Sequence, residues 1–303
     1  MSKLRRCTAV FCVLFWAQFA AYAEETQPKD GIDDVTLIVS SCDKYATLWP
    51  SFFGCLFHFW PQLERADVKI PIVLIAGKKT FLHPRVTVHQ TGIDKGWSAN
   101  LLDVLQHVKT PYVLYLQEDY FLCRPVHLKR LQQVVDIMRA YAHVAYCQLS
   151  EDVIYFPEGG KFVEKKPFML RGVLQKRLYA RSRNNLQAAL WRTDRLKTLL
   201  RHDENPWQFE KAGNRRSQLM EIQDGSLFLV AQNPSPLLYL NGVFKGALDL
   251  RVVRWLEKNG LPTPSLDAYP IHKGAYSRMH TEPKAYAVLK TAAHHSNCHA
   301  GSK

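Results

Sequence analysis

Residues Tyr112-Val-Leu-Tyr-Leu-Gln117 form an apolar run that passes without a break into Glu118 and Asp119. A short run of this length, closed by a polar cluster, predicts a buried strand. Two adjacent carboxylates cannot both enter a core without partners. At the carboxyl end of a strand they suit a hard divalent cation, which takes oxygen ligands and bridges to phosphates. The other reading of the pair is a solvated acidic turn.

The same pattern recurs upstream. Val35-Thr-Leu-Ile-Val-Ser40 reads as a strand with the polar tip Ser40-Ser41-Cys42-Asp43. Pro71-Ile-Val-Leu-Ile-Ala76 reads as a second, closed by Gly77-Lys78-Lys79, and residues 86–89 as a brief third. Residues 45–60 carry Phe52, Phe53, Leu56, Phe59 and Trp60 at helical spacing, with Pro50 tolerable in a first turn. Residues 97–108 carry a stripe at Leu101, Leu102, Leu105 and Val108. Strand, helix, strand, strand, helix, strand predicts an α/β domain with a mostly parallel sheet. Ligands bind such sheets beyond the strands' carboxyl ends. The polar clusters at 40–43, 94–98 and 117–119 are therefore expected to converge on one cleft.

A helix over 125–142 and a strand over 143–149 continue the pattern, and after Ser150 the character shifts. Short β-like pieces are expected at 153–156 and 168–170, and residues 161–183 hold eight Lys or Arg and one Glu. Leu186-Gln-Ala-Ala-Leu-Trp191 is strand-like, a helix follows over 193–200, and Glu204-Asn-Pro-Trp-Gln-Phe-Glu210 comes next. Strands near 227–231 and 237–240, the glycine-flanked Asn241-Gly-Val-Phe-Lys-Gly246, and a helix around 248–258 complete the chain's structured part. One domain over 34–260 is expected, with halves at 34–150 and 151–260 and a tail over 261–303.

At 47% hydrophobic and 22% charged residues the composition is globular, neither fibrous nor disordered. Forty Lys and Arg against 27 Asp and Glu give +13, a balance that favours anionic partners. The basic run 161–183 has little aromatic interleaving, which argues against a nucleic-acid platform. It reads as a solvated loop, or as a contact for an anionic acceptor or membrane face. Phosphate-cradling P-loops, dinucleotide fingerprints and nucleophile elbows are absent from the sequence.

Seven cysteines without a CxxC pair read as free thiols in a reducing compartment. The N-terminus points the other way. Lys3, Arg5 and Arg6 precede an apolar run over 7–23 that ends in Ala21-Tyr22-Ala23, the pattern of a secretory signal. A signal anchor and a wrongly assigned start are the other readings.

Gly96-Trp-Ser-Ala-Asn-Leu-Leu-Asp-Val-Leu105 and Thr110-Pro-Tyr-Val-Leu-Tyr-Leu-Gln-Glu-Asp-Tyr-Phe-Leu122 together resemble the nucleotide-binding half of a nucleotide-sugar-dependent glycosyltransferase with the type-A fold. Val39-Ser-Ser-Cys-Asp-Lys-Tyr45, the 186–191 and 204–210 segments and 241–246 are similar to a group of bacterial polysaccharide-cluster glycosyltransferases. The resemblance spans roughly residues 35–250. It implies a Rossmann-type, mostly parallel sheet flanked by helices, with a mixed acceptor-side region. It implies transfer of a sugar from a nucleotide-diphosphate donor to a glycan or lipid-linked acceptor. The family's metal motif is Asp-x-Asp, and here Gln117-Glu118-Asp119 stands in its place. A manganese or magnesium ion would then have one firm ligand, Asp119, with Glu118 turned elsewhere on the donor side.

The resemblance also implies roles for single residues. Ser41 and Asp43 would meet a nucleoside such as uridine, although Asp43 also reads as a helix N-cap. Trp97 and Asn100 would line the nucleotide pocket, with a core position the other reading of Trp97. Lys245 would reach the leaving diphosphate, or else be a solvated loop lysine. Glu210 would be the general base of an inverting transfer, although a glutamate in a helix's first turns is ordinary for the dipole alone. Asn205 and Trp207 would build an acceptor wall. The competing expectation is a non-catalytic, exported carbohydrate-binding protein of the same fold. A catalyst would sit at a membrane, on the cytoplasmic face or in a Golgi-type lumen where nucleotide sugars are found. A secreted product would have no donor.

Overall fold

The computed structural model describes residues 31–150, 165–167, 172–180 and 182–271. The first strand, β1 (Val35–Ser40), is buried at every position, as suits a β-branched-rich run inside a parallel sheet. Helix α1 (Trp49–Phe59) follows a single-turn segment at Asp43–Leu48 and carries Pro50 in its first turn. Strands β2 (Ile72–Ala76) and β3 (Val86–Gln90) come next, then helix α2 (Trp97–His107), β4 (Tyr112–Gln117) and the short β5 (Tyr120–Leu122). Helix α3 (Leu128–Ala140) and β6 (Val144–Gln148) lie slightly inside the expected bounds.

Beyond Ser150 the chain forms β7 (Lys165–Pro167), β8 (Val173–Lys176), β9 (Ala189–Arg192), α4 (Thr193–Leu199) and the long α5 (Pro206–Asp224). Strands β10 (Leu227–Ala231), β11 (Tyr239–Asn241), β12 (Val243–Phe244) and β13 (Ala247–Leu248) precede α6 (Leu250–Lys258). The expected β pieces at 153–156 and 168–170 and the apolar segment 7–23 lie outside the described residues, as do 161–164, 168–171 and 181 of the basic run. The described part of that run is not the solvated loop expected: β7 and β8 lie in it, and Lys176 and Arg183 are buried. Among the described residues, no helix is long and apolar enough to cross a membrane.

Nine strands form one sheet in the order β3-β2-β1-β4-β9-β6-β10-β8-β7. The first four are mutually parallel, and β1 and β4 pair in register from Val35 opposite Tyr112 to Ser40 opposite Gln117. Strand β9 then runs antiparallel between β4 and β6, while β6 and β10 are parallel. The sheet is therefore mixed, and its parallel half is the part read directly from the repeated strand–helix pattern. Segment 186–191 supplies the central β9, fully buried at Ala189, Leu190 and Trp191. Its neighbours are β4 and β6, more than 40 residues earlier in the chain. Trp191 packs between Tyr146, Phe228 and Phe209, so the two halves of the chain share one core. Cys42, Cys55, Cys123 and Cys147 are free thiols, three of them buried.

Candidate active site

The carboxyl ends of β1 and β4 finish side by side, and the chain leaves both on polar residues. There a cavity of about 560 Å³ opens. Ser40, Ser41 and Cys42 line it from β1, Asp94, Trp97 and Asn100 from the start of α2, and Gln117, Glu118 and Asp119 from β4. The three strand-end clusters thus converge. Residues from the second half close the opposite wall, among them Gln187, Trp207, Glu210 and Lys245.

Glu118 is 8% exposed. Neither it nor Asp119 makes an ion pair with any cationic side chain among the described residues. Burial pushes Glu118 well above the usual carboxylate range, and the neighbouring Asp119 charge adds to the effect. Burial likewise pushes Asp119 up to about 7, against the lowering effect of the Val243 backbone amide. The Asp119 carbonyl accepts from Gly242 N–H at 2.8 Å, which ties the β5 end to the β11–β12 loop. That approach needs glycine: a Cβ at Gly242 would lie 2.3 Å from the buried Phe121 ring.

Lys245 and Gly246 form the tip of the β12–β13 hairpin, with φ of 51° and 79°. Two left-handed residues in a two-residue loop match the twist of a hairpin. For lysine this conformation costs about 1–2 kcal/mol relative to the right-handed region. The fold therefore holds a cationic side chain at the cleft in a conformation that glycine would adopt more easily.

Glu210 sits in the first turns of α5 and lines the cleft. Its Oε1 accepts from Leu186 N–H at 2.8 Å, and Oε2 has no hydrogen bond among the described residues. Burial raises its pKa, while the Leu186 amide and the Lys176 charge pull the other way. Trp207, one turn earlier, is 72% exposed at the rim. Trp97 is both things the sequence allowed. Its ring packs 5.2 Å from Phe209 and against the main core, while its Nε1 donates to Ser40 Oγ and Tyr115 Oη, each at 3.1 Å. Asn100 braces the turn before α2, donating to Asp94 Oδ1 at 2.8 Å and accepting from Lys95 N–H.

Two expected roles need correction. Asp43 neither faces the nucleotide cleft nor caps a helix. Its carboxylate accepts from the backbone amides of Gly77, Lys78 and Lys79 at 2.9, 2.8 and 3.1 Å, clamping the turn after β2 to the turn after β1. Burial raises its pKa, and these amides outweigh that and hold it below the usual value. Asn205 does not line the cleft but caps α5, its side chain accepting from Gln208 N–H at 2.9 Å while Gln208 Oε1 accepts from Asn205 N–H. Ser41 does line the cleft, but its hydroxyl accepts from Trp49 Nε1 at 2.8 Å and donates to the Cys42 carbonyl.

Sequence reasoning did not single out Tyr45, Gln187 or Phe244, which also line the cavity. Tyr45 stacks on Tyr269, an arrangement 224 residues apart in sequence with no local signature. Gln187 lay within the 186–191 segment but was hidden by its strand-like neighbours; it accepts the Tyr239 hydroxyl.

No family model matches the chain, and no curated protein matches its sequence. Among solved structures, S. aureus TarS overlaps with a TM-score of 0.44 at 11% identity, covering 69% of this chain and 37% of that one. The TarS 1–349 fragment gives 0.43 at 10% identity, covering 69% and 60%. The chain thus spans less than two thirds of either. The mannosyltransferase PcManGT from Pyrobaculum calidifontis, solved with GDP-Man and Mn2+, gives 0.45 at 14% identity, covering 96% and 84%. Overlaps at this level leave the functional reading to the chain's own residues.

Proposed function

We propose that the cleft is the active site of a glycosyltransferase that moves a sugar, a hexose by our reading, from a nucleoside-diphosphate donor to a glycan or lipid-linked acceptor hydroxyl. The observation that carries this reading is the adjacent Glu118 and Asp119, the first buried and the second half-buried, held without a cationic side chain among the described residues in a cavity that Glu210 also lines. Burying two carboxylates unpaired costs stability, and a site that takes a cation and a diphosphate gives that cost a use.

The residues present fit a divalent metal ion: Asp119, with Glu118 beside it, is an oxygen donor set suited to magnesium or manganese. When bound there, the ion would neutralise charge on the leaving diphosphate. The remaining steps belong to the chain. Trp97 and Asn100 fix the wall of the donor pocket, and Lys245 places a positive charge for the diphosphate oxygens. Trp207 offers an apolar face on which a sugar ring can stack. The Oε2 atom of Glu210 takes the proton of the acceptor hydroxyl as that oxygen attacks the sugar's anomeric carbon. The bond from that carbon to the diphosphate oxygen breaks with its electron pair, and the configuration inverts.

A panel of nucleoside diphosphates and their sugars, with and without magnesium or manganese, tests the reading. A ligand at 100 times its Kd should stabilise the protein by about 2.7 kcal/mol and raise its Tm. A uridine diphosphate or a related nucleotide should do so only with the metal present. A Tm unmoved across the panel would remove the donor site from this cleft.

A further inference from the structure

A second cluster of ligating side chains lies away from the cleft. His89 stands near the end of β3, the edge strand of the large sheet. Asp103 and His107 lie four residues apart on α2, a spacing that puts both on one helix face. His89 Nε2 and Asp103 Oδ2 are 2.7 Å apart, and the two imidazole rings are 5.2 Å apart at a tilt of 41°. One ligand atom from each of the three residues lies within 4.8 Å of the other two. None of the three lines the cavity that holds Glu118 and Asp119.

From this geometry we infer that His89, Asp103 and His107 form a site for a borderline divalent metal ion of the zinc, cobalt or nickel type, which clamps α2 to the edge strand. The donor set decides the class. Two imidazoles and one carboxylate suit zinc-like ions, whereas an all-oxygen set suits magnesium or manganese. Ligands about 2.0–2.1 Å from a tetrahedral ion stand roughly 3.3 Å apart. The His89–Asp103 pair therefore opens by roughly 0.6 Å to admit the ion, a change within reach of side-chain rotation. Asp103 is only partly covered and His107 is exposed, so the fourth position faces solvent and takes water. The same helix supplies Trp97 and Asn100 to the cleft from its other end, so the clamp steadies the donor wall without touching it. This inference stands on its own geometry and does not depend on the reaction proposed above.

The test is cobalt(II) and zinc(II) titration of the full, untagged chain, followed by visible absorption and by Tm. Residues His294, His295, Cys298 and His299 can bind the same ions. The reading is therefore the difference between wild type and variants that all keep this segment. His107→Ala is on an exposed helix position and should fold normally, and His89→Gln is the second variant. The site predicts loss of one tetrahedral cobalt equivalent in each, with affinity at that site weakened roughly 10- to 100-fold or more. It also predicts a smaller zinc-induced rise in Tm, and the tetrahedral cobalt signal that the histidine substitutions remove persists in Asp119→Asn, whose carboxylate belongs to the cleft. Wild-type stoichiometry, spectrum and Tm response in both histidine variants would overturn the site.

Discussion

The two ends of the parallel strands treat buried acid in opposite ways. At the amino end of β1, Asp34 is gripped by Arg139, whose Nε and Nη2 donate to the two carboxylate oxygens at 2.9 and 2.6 Å. Both side chains are 15% exposed, and the forked geometry offsets much of their desolvation. In the second half, Arg216 grips Glu204 in the same forked manner, and Arg183 pairs with Glu221 through Nη2 alone. At the carboxyl end of β4, Glu118 is buried and Asp119 half-buried, and neither has such a partner among the described residues. The chain carries 40 Lys and Arg, so it is not short of cations. The contrast teaches that the acid at the amino end is paired within the sheet, whereas those at the carboxyl end carry a cost that, on the function proposed above, a ligand would offset.

The largest effect should come from Glu210, which lines the same cavity as the carboxylate pair. Glu210→Gln is expected to lower turnover by roughly 10²- to 10⁴-fold while leaving the donor-induced rise in Tm intact. Burial raises the Glu210 pKa above the ordinary glutamate value. The base must be ionised, so turnover of the wild type should rise with pH through that displaced value, and the acidic limb of the pH–rate profile should lie above the usual glutamate range. Transfer by Glu210→Gln at the wild-type rate would remove it from the chemistry.

The next test sets the two ends directly against each other by denaturant unfolding. Asp34→Asn removes one partner of a charge-assisted pair and should cost about 1.5–3 kcal/mol. Asp119→Asn removes an unpaired buried charge and should stabilise the metal-free protein above neutral pH by about 1–3 kcal/mol, while abolishing metal-dependent donor binding. Equal signs for the two substitutions would erase the distinction.

Smaller effects sharpen the contrast between scaffold and site. Lys245→Gly relieves the left-handed backbone and should raise stability by about 1 kcal/mol, yet weaken binding of the diphosphate. Asn205→Ala should cost about 1 kcal/mol through loss of the α5 cap and leave donor affinity unchanged. A change in donor affinity with Asn205→Ala would place that residue in the cleft after all.

Much of the parallel half was legible because its signals are local. Short, largely apolar runs mark β1, β2 and β4, and polar residues at the carboxyl ends of β1 and β4 mark the cleft. The second half was legible as elements but not as topology. Nothing local in Ala189–Arg192 states that this strand inserts antiparallel between β4 and β6, because the pairing is set by partners more than 40 residues away. The same distance hid the role of Asp43, whose partners lie 34 to 36 residues onward. Asn205 was misplaced for a different reason. A residue three before Gln208 and directly before proline carries a cap signature, and its nearness to Trp207 drew attention to the wall of the cleft instead.

The central claim is that Glu118 and Asp119 are kept unpaired for a cation. Unfolding free energy measured from pH 4 to 8, with and without magnesium, tests it most directly. The folded pKa of Asp119, about 7, lies above the unfolded value of about 3.9. The folded state therefore binds more protons than the unfolded state between those values, and without a cation stability contributed by this group falls as pH rises through that window. Magnesium should restore it most at pH 7 to 8 and little at pH 4 to 5, and Asp119→Asn should flatten both responses. A metal-free profile that Asp119→Asn leaves unaltered, with no magnesium response at pH 8, would contradict the account.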